Sequence, residues 1–207
     1  WSISNLGIYY EEIEEYQKAK EKYLEAQGIF LDIFGEKHTS RATCLSNLSS
    51  IYFVTKDFDR SLELTNEALA LLDEIDAKRY NESVILINRI AEIYYSKGNY
   101  AKALDYAYQA IELNGSFSFE KEAIDKAWCD TVLSQSFFSF VNLNTSLEII
   151  WRTLGTIETE EALQAKLNLV EMIMTIFEMR RNEYSTKADK LYILEQSTEW
   201  AEEGILT

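Results

Sequence analysis

Side chains of one size class return along this chain every 42 residues. Leu6, Leu48 and Ile90 form one column, and Gly7, Ser49 and Ala91 form the next. Further columns hold Tyr10, Tyr52 and Tyr94; Tyr16, Phe58 and Tyr100; Ala19, Ser61 and Ala103; and Ala26, Ala68 and Ala110. Self-similarity at a fixed period of this length signals an array of supersecondary units. Within a unit the order small, aromatic, small reads as helix A, a short turn and helix B. The small residues of helix A (Gly7, Ser49, Ala91) and of helix B (Ala19, Ser61, Ala103) let the two helices approach closely. Aromatics near the turn fill the wedge between them. Gly7 costs about 1 kcal/mol of helix propensity relative to Ala, which close packing offsets. One hairpin cannot bury its own apolar face, but stacked hairpins can.

A fourth unit follows after one further residue, with Ser134, Phe137, Leu143, Ser146 and Thr153 in the same places. This register sets "VNLNTSLEIIWRTLG" as a helix B. A fifth unit is degraded: Ala188 keeps a small place and Tyr192 an aromatic one. The predicted units run over about 1–34, 42–75, 84–117, 127–157 and 160–205 of one array. Cap signals agree. Asp57 and Asn99 stand where helix B begins, Ser116 or Ser118 precedes a helix starting near Glu120, and Thr159 precedes Glu160 and Glu161. "LNG" at 113–115 reads as a helix stop.

"LGIYYEEIEEYQKAKEKYLEA" and "IAEIYYSKGNYAKALDYAYQAIEL" resemble the tetratricopeptide repeat (TPR). The usual unit is about 34 residues, and here extra residues follow helix B in "GEKHTS", "DAKRYNES" and "NGSFSFEKE". The longer step, with Gly35 and His38 ahead of the next helix A, is similar to the kinesin-light-chain-like subgroup. Thr39 replaces the Pro that commonly follows the His, and the family's Pro after helix B is missing throughout. The resemblance implies an all-α fold: a right-handed α-solenoid of antiparallel hairpins, about five units, the last degenerate.

Composition narrows the function. The chain has 207 residues, no Pro, 7 Gly and 13% aromatics, which suits a mostly helical chain with a core. A formal net charge of −15 disfavours nucleic acid and an anionic membrane surface as partners. No apolar run approaches a membrane span. Cys44 and Cys129 are too few for a disulfide framework and read as reduced, buried residues of a cytoplasmic protein. His38 is the only histidine, so a His-based triad or multi-His metal site has nothing to build on. It reads as a structural loop residue. Adjacent carboxylates such as Glu11–Glu12 and Glu160–Glu161 do not share a helix face. No glycine-rich phosphate loop is present. The expectation is therefore no catalysis and no cofactor. Because Trp1 reads as mid-helix, the chain is expected to be a fragment of a longer protein.

The resemblance implies that helix A lines the concave face, where relatives hold extended peptides through Asn and Arg. One polar column there is Asn5, Asn47 and Arg89. An amide both donates and accepts, so it pairs with a peptide backbone whatever the peptide's sequence. A guanidinium adds a fork for a carboxylate or carbonyl. Ser46, Ser50, Phe53, Asn88, Glu92, Tyr95, Gln135 and Phe138 are expected beside it. A polar ladder flanked by aromatics suits peptide capture. The lysines of the chaperone-tail clamp are absent from helix A of units one and three. The reading is a protein–protein interaction scaffold that binds a peptide or protein segment. Two alternatives remain: the sensor region of a larger enzyme, such as a caspase-like (CHAT) protease or histidine kinase, and a peptide-pheromone receptor.

Overall fold

The computed structural model describes residues 3–75, 80–115, 125–133 and 140–183. Those residues form nine helices: α1 (Ile3–Glu12), α2 (Tyr16–Phe34), α3 (Thr39–Val54), α4 (Phe58–Glu74), α5 (Tyr80–Ser96), α6 (Tyr100–Gly115), α7 (Lys126–Leu133), α8 (Phe140–Leu154) and α9 (Glu160–Glu183). The pairs α1/α2, α3/α4 and α5/α6 are the three predicted hairpins. The first two pack their helix B on the helix A that follows, α2 on α3 and α4 on α5.

The turn inside each hairpin is the same object three times. Glu14, Lys56 and Gly98 occupy the left-handed region, at φ 60°, 65° and 74°. The next amide in each case reaches back five residues: Glu15 N–H to the Tyr10 carbonyl (2.8 Å), Asp57 to Tyr52 (2.8 Å), Asn99 to Tyr94 (2.9 Å). The left-handed residue itself donates to Glu11, Phe53 or Tyr95. This is a Schellman stop, which satisfies the orphan carbonyls of helix A. Asp57 and Asn99 then cap helix B, accepting from the backbone N–H of Arg60 and Lys102. His38 caps α3 through Nδ1, which accepts from Ser40 N–H at 3.1 Å, and its ring stacks on Phe34. Its structural role is as expected. The caps expected at Ser116 or Ser118, and the fifth-unit residues Ala188 and Tyr192, lie outside the described residues.

The columns meet inside each hairpin by complementary size. A Cβ on Gly7 would lie 2.5 Å from Cε1 of Tyr23, a residue buried completely in α2. One repeat on, Ser49 faces Thr65 and Ser61, with hydroxyl contacts of 2.5 and 2.9 Å. One repeat further, Ala91 and Ala107 are both fully buried in one apolar cluster. Tyr23, Thr65 and Ala107 are themselves 42 residues apart. Where helix B brings bulk, helix A gives it up.

The fourth unit departs from the expected register. Helix α8 runs beside α5 in the same direction, with Asn142 at Asn81, Ser146 at Asn88 and Arg152 over Tyr95. It also packs on α6. That is the place of a helix A, not of the helix B that the columns assign to it. Among the described residues α7 packs chiefly on α9. The physical reason is that a small residue in an apolar stripe serves either partner of a close helix pair. Ser146 opens α8 to α5 just as Ser49 opens α3 to α4. Thr159 caps α9 as predicted, accepting from Ala162 N–H at 3.1 Å.

Two outcomes test this packing. In urea unfolding, Gly7→Ala lowers stability by about 1–3 kcal/mol because the new methyl overlaps the Tyr23 ring. In a Tyr23→Ala background the same change is neutral or stabilising by up to about 1 kcal/mol. A neutral Gly7→Ala in the parent chain would remove the size-matching account. Replacing Lys56 by Gly relieves a left-handed Cβ and raises stability by about 0.5–1 kcal/mol in the same measurement.

Candidate functional site across the helix A face

Helices α1, α3 and α5 lie side by side, and α8 continues the row. Their shared face carries the expected polar ladder, but its members divide into two kinds. One kind is bonded within the protein. Glu11 Oε2 accepts from the Tyr23 hydroxyl at 2.8 Å, while its Oε1 accepts from Ser50 Oγ at 2.8 Å. The Ser50 hydroxyl in turn accepts from Arg89 Nη2 at 3.4 Å. Arg89 Nη1 pairs with Glu92 at 3.1 Å, and the guanidinium lies 4.9 Å from the centre of the Phe53 ring. Three hairpins are thus joined by one chain of polar contacts.

The motif recurs at the next helix. Arg152 of α8 sits 4.7 Å from the centre of the Tyr95 ring and 3.4 Å from Glu148. Tyr95 is the repeat of Phe53, so Arg152 does for the third hairpin what Arg89 does for the second. Burial raises the Glu92 carboxyl above the ordinary carboxylate range, against the pull of Arg89 and Arg152. Phe53 and Tyr95 lean on Phe58 and Tyr100 across the same repeated turn, at 5.7 and 5.6 Å.

Asn88 belongs to this bonded kind and corrects an expectation. It does not lie on the open face: it is buried, its Nδ2 donates to the Asn142 carbonyl, and its Oδ1 accepts from Ser146. An amide that binds any backbone has here bound the backbone of α8. Gln135 and Phe138 lie outside the described residues.

The second kind is open. Asn5 is exposed and Asn47 partly so, and neither amide makes a hydrogen bond among the described residues. Asn47 borders a cavity of about 240 Å³ between α3 and α5. Thr39, Thr43 and Ser46 supply its polar wall, with Ile85 and Leu86 opposite. Ile85 is exposed. The groove therefore offers amide and hydroxyl groups from α3, and from α5 an apolar strip beside the Glu82 carboxylate.

Sequence reasoning missed Glu11 and Arg152. Glu11 lies one repeat before Phe53, so its place in the row was available from the 42-residue step. Arg152 was hidden, because α8 is out of step with the other units. A recurring cation was also overlooked. Lys18 and Lys102, each eight residues after the column tyrosines Tyr10 and Tyr94, sit over those rings at 5.6 and 4.8 Å. Elsewhere, Cys44 is buried and its thiol is pushed up to about 11 by burial, the condition of an inert packing residue. The Cys129 side chain lies outside the described residues. No helix among the described residues is long and apolar enough to cross a membrane.

Comparison with known proteins agrees with this geometry. A family profile described as tetratricopeptide repeat matches residues 1–74, and a second of the same description matches residues 85–114, together just over half of the chain. BtubC (BKLC) from P. vanneervenii superposes with a TM-score of 0.60 at 19% identity, over 89% of this chain and 65% of that one. This chain thus spans 65% of the length of that structure. A Podosopora anserina protein described as a kinesin light chain with nearly identical TPR-like repeats superposes with a TM-score of 0.51 at 13% identity, over 97% of this chain and 93% of that one. Its Q17M variant has the same TM-score and identity, over 100% and 96%. These likenesses establish the right-handed α-solenoid of helix hairpins. No curated protein matches the chain.

The Glu92 carboxyl gives a test of the bonded row. Its folded pKa is raised, so its contribution is complete below the unfolded carboxylate value and is lost as pH rises through the folded one. Glu92→Gln therefore leaves thermal stability at pH 7 equal to or above that of the parent. That difference shrinks in thermal melts as the pH falls into the ordinary carboxylate range. A variant less stable than the parent at pH 7, by a margin that closes in acid, would show that the guanidiniums outweigh burial.

Proposed function

The chain belongs to the tetratricopeptide repeat family, and from that premise we propose that it holds an extended segment of a partner protein in the groove between α3 and α5. As a member of the family it is a protein–protein interaction scaffold. The finer reading rests on one observation. Asn47 presents an amide with no hydrogen bond within the described chain, at the edge of a cavity whose α5 wall sets Ile85 and Leu86 beside Glu82. A peptide laid along it gains backbone hydrogen bonds from Asn47 and the hydroxyls, and buries alternate side chains against Ile85. Asn5 extends the polar row onto α1. Phe53, Arg89, Glu92 and Tyr95 support the groove by fixing the spacing of the helices, and Ser50 ties α3 to both of its neighbours.

The test separates open from bonded residues. A partner captured from the native host is mapped to a peptide by array, and binding is measured with the parent and two variants. Asn47→Ala weakens binding about tenfold, the worth of one lost hydrogen bond of about 1.4 kcal/mol, with helicity unchanged. Ile85→Asp weakens it further. Parent-like binding by both variants would take the partner off this groove.

A further inference from the structure

We propose that the turn between α8 and α9 carries a second, separate recognition site, for the free carboxylate end of a peptide whose last side chain is apolar. The argument starts from Lys166. It lies in the second turn of α9 and is 7% exposed. Among the described residues it makes no ion pair and no hydrogen bond. Its ammonium sits 4.2 Å from the centre of the Trp151 ring and beside Gly155, where an added Cβ would come within 3.8 Å of Nζ. The other basic groups placed over rings are Lys18, Lys20, Lys102, Arg89 and Arg152, and all of them are more exposed than Lys166. Buried charges in proteins are normally neutralised by a partner. The Trp151 face and the nearby carbonyl end of α8 solvate this one without neutralising it.

An anion has room beside Lys166. A cavity of about 430 Å³ opens against Lys166, walled by Leu154, Ile157 and Leu163, with Thr159 and Glu160 at the start of α9. Ile157 and Leu163 are 40% and 48% exposed, so they give the opening accessible apolar walls. The first amides of α9 have no intrahelical partner and add positive potential at the same end. Glu158 and Glu160 also line the cavity. They repel a phosphate dianion more than a single carboxylate, which selects among anions. One buried cation beside apolar walls, with acidic side chains that disfavour a dianion, suits the terminus of a chain ending in Leu, Ile or Val. This site is independent of the groove between α3 and α5.

Calorimetry on the whole 207-residue chain tests it. The probes are a Gly/Ser-rich octapeptide ending in Ile-Leu with a free carboxylate, the same peptide as its C-terminal amide, and octanoate. The free acid binds at least tenfold more tightly than the amide, and Lys166→Met abolishes that preference while Lys166→Arg keeps part of it. Lys166→Met also melts no lower than the parent, because it keeps the buried stem and removes the charge. Asn47→Ala leaves the preference intact, so failure of the groove reading does not touch this one. Equal affinity for acid and amide, or no binding by either, would overturn the site. Tight binding of octanoate without either peptide would overturn the assignment to a peptide terminus.

Discussion

The structure depends on how closely two helices of a hairpin can approach. Two stacked helices shield each other only if their axes come near, and axis separation is set by the side chains at the crossing point. In the first hairpin that point is Gly7 against Tyr23 and in the second Ser49 against Thr65 and Ser61, while in the third Ala91 and Ala107 are both buried in one apolar cluster. Volume is traded across the pair rather than conserved on one helix. The buried row Leu45, Leu48 and Ile51 on α3 closes over α2 and α4 once that distance is fixed. The repeated left-handed stop at 14, 56 and 98 then returns the chain through the same hydrogen-bonded turn each time.

Stacking alone would leave adjacent hairpins held only by apolar contact, which is not directional. The polar row supplies direction. Glu11 ties α2 to α3 through Tyr23 and Ser50, and Arg89 ties α5 to α3 through Ser50 and Phe53. A residue that serves this row is not at the same time available to a partner. This division explains why one column of the repeat holds residues of unlike fate. Asn47 and Arg89 are equivalent in register, yet one faces a cavity and the other is bonded on three sides. Interaction surfaces of this family are therefore best read from what remains unbonded after the helices have been joined.

The array changes character at α8. By taking the place of a helix A it brings Asn142 and Ser146 against α5 and sets Arg152 over Tyr95. It also puts Trp151 under Lys166 and opens the cavity at the α8–α9 turn. Among the described residues the regular units bury no charged side chain, whereas this junction buries Lys166. A junction out of register creates surfaces that the repeats do not have, and a lysine there meets an environment that no earlier column prepares.

The sequence by itself determined the hairpins, their step, the turn between helices A and B, and the caps at Asp57, Asn99 and Thr159. Each of these is local or periodic: a size class, a helical spacing or a capping side chain has one reading at short range. It also placed Asn47, Arg89, Phe53 and Tyr95 on one face, because a 42-residue step carries a face with it. Only the tertiary structure decided that Asn88 is spent on α8, that Arg152 repeats the role of Arg89, and that Lys166 is buried without a carboxylate. Those outcomes turn on which helix lies beside which. A small residue in an apolar stripe permits close approach without naming the partner, so the pattern around Ser146 fits either helix of a hairpin until the fold selects one.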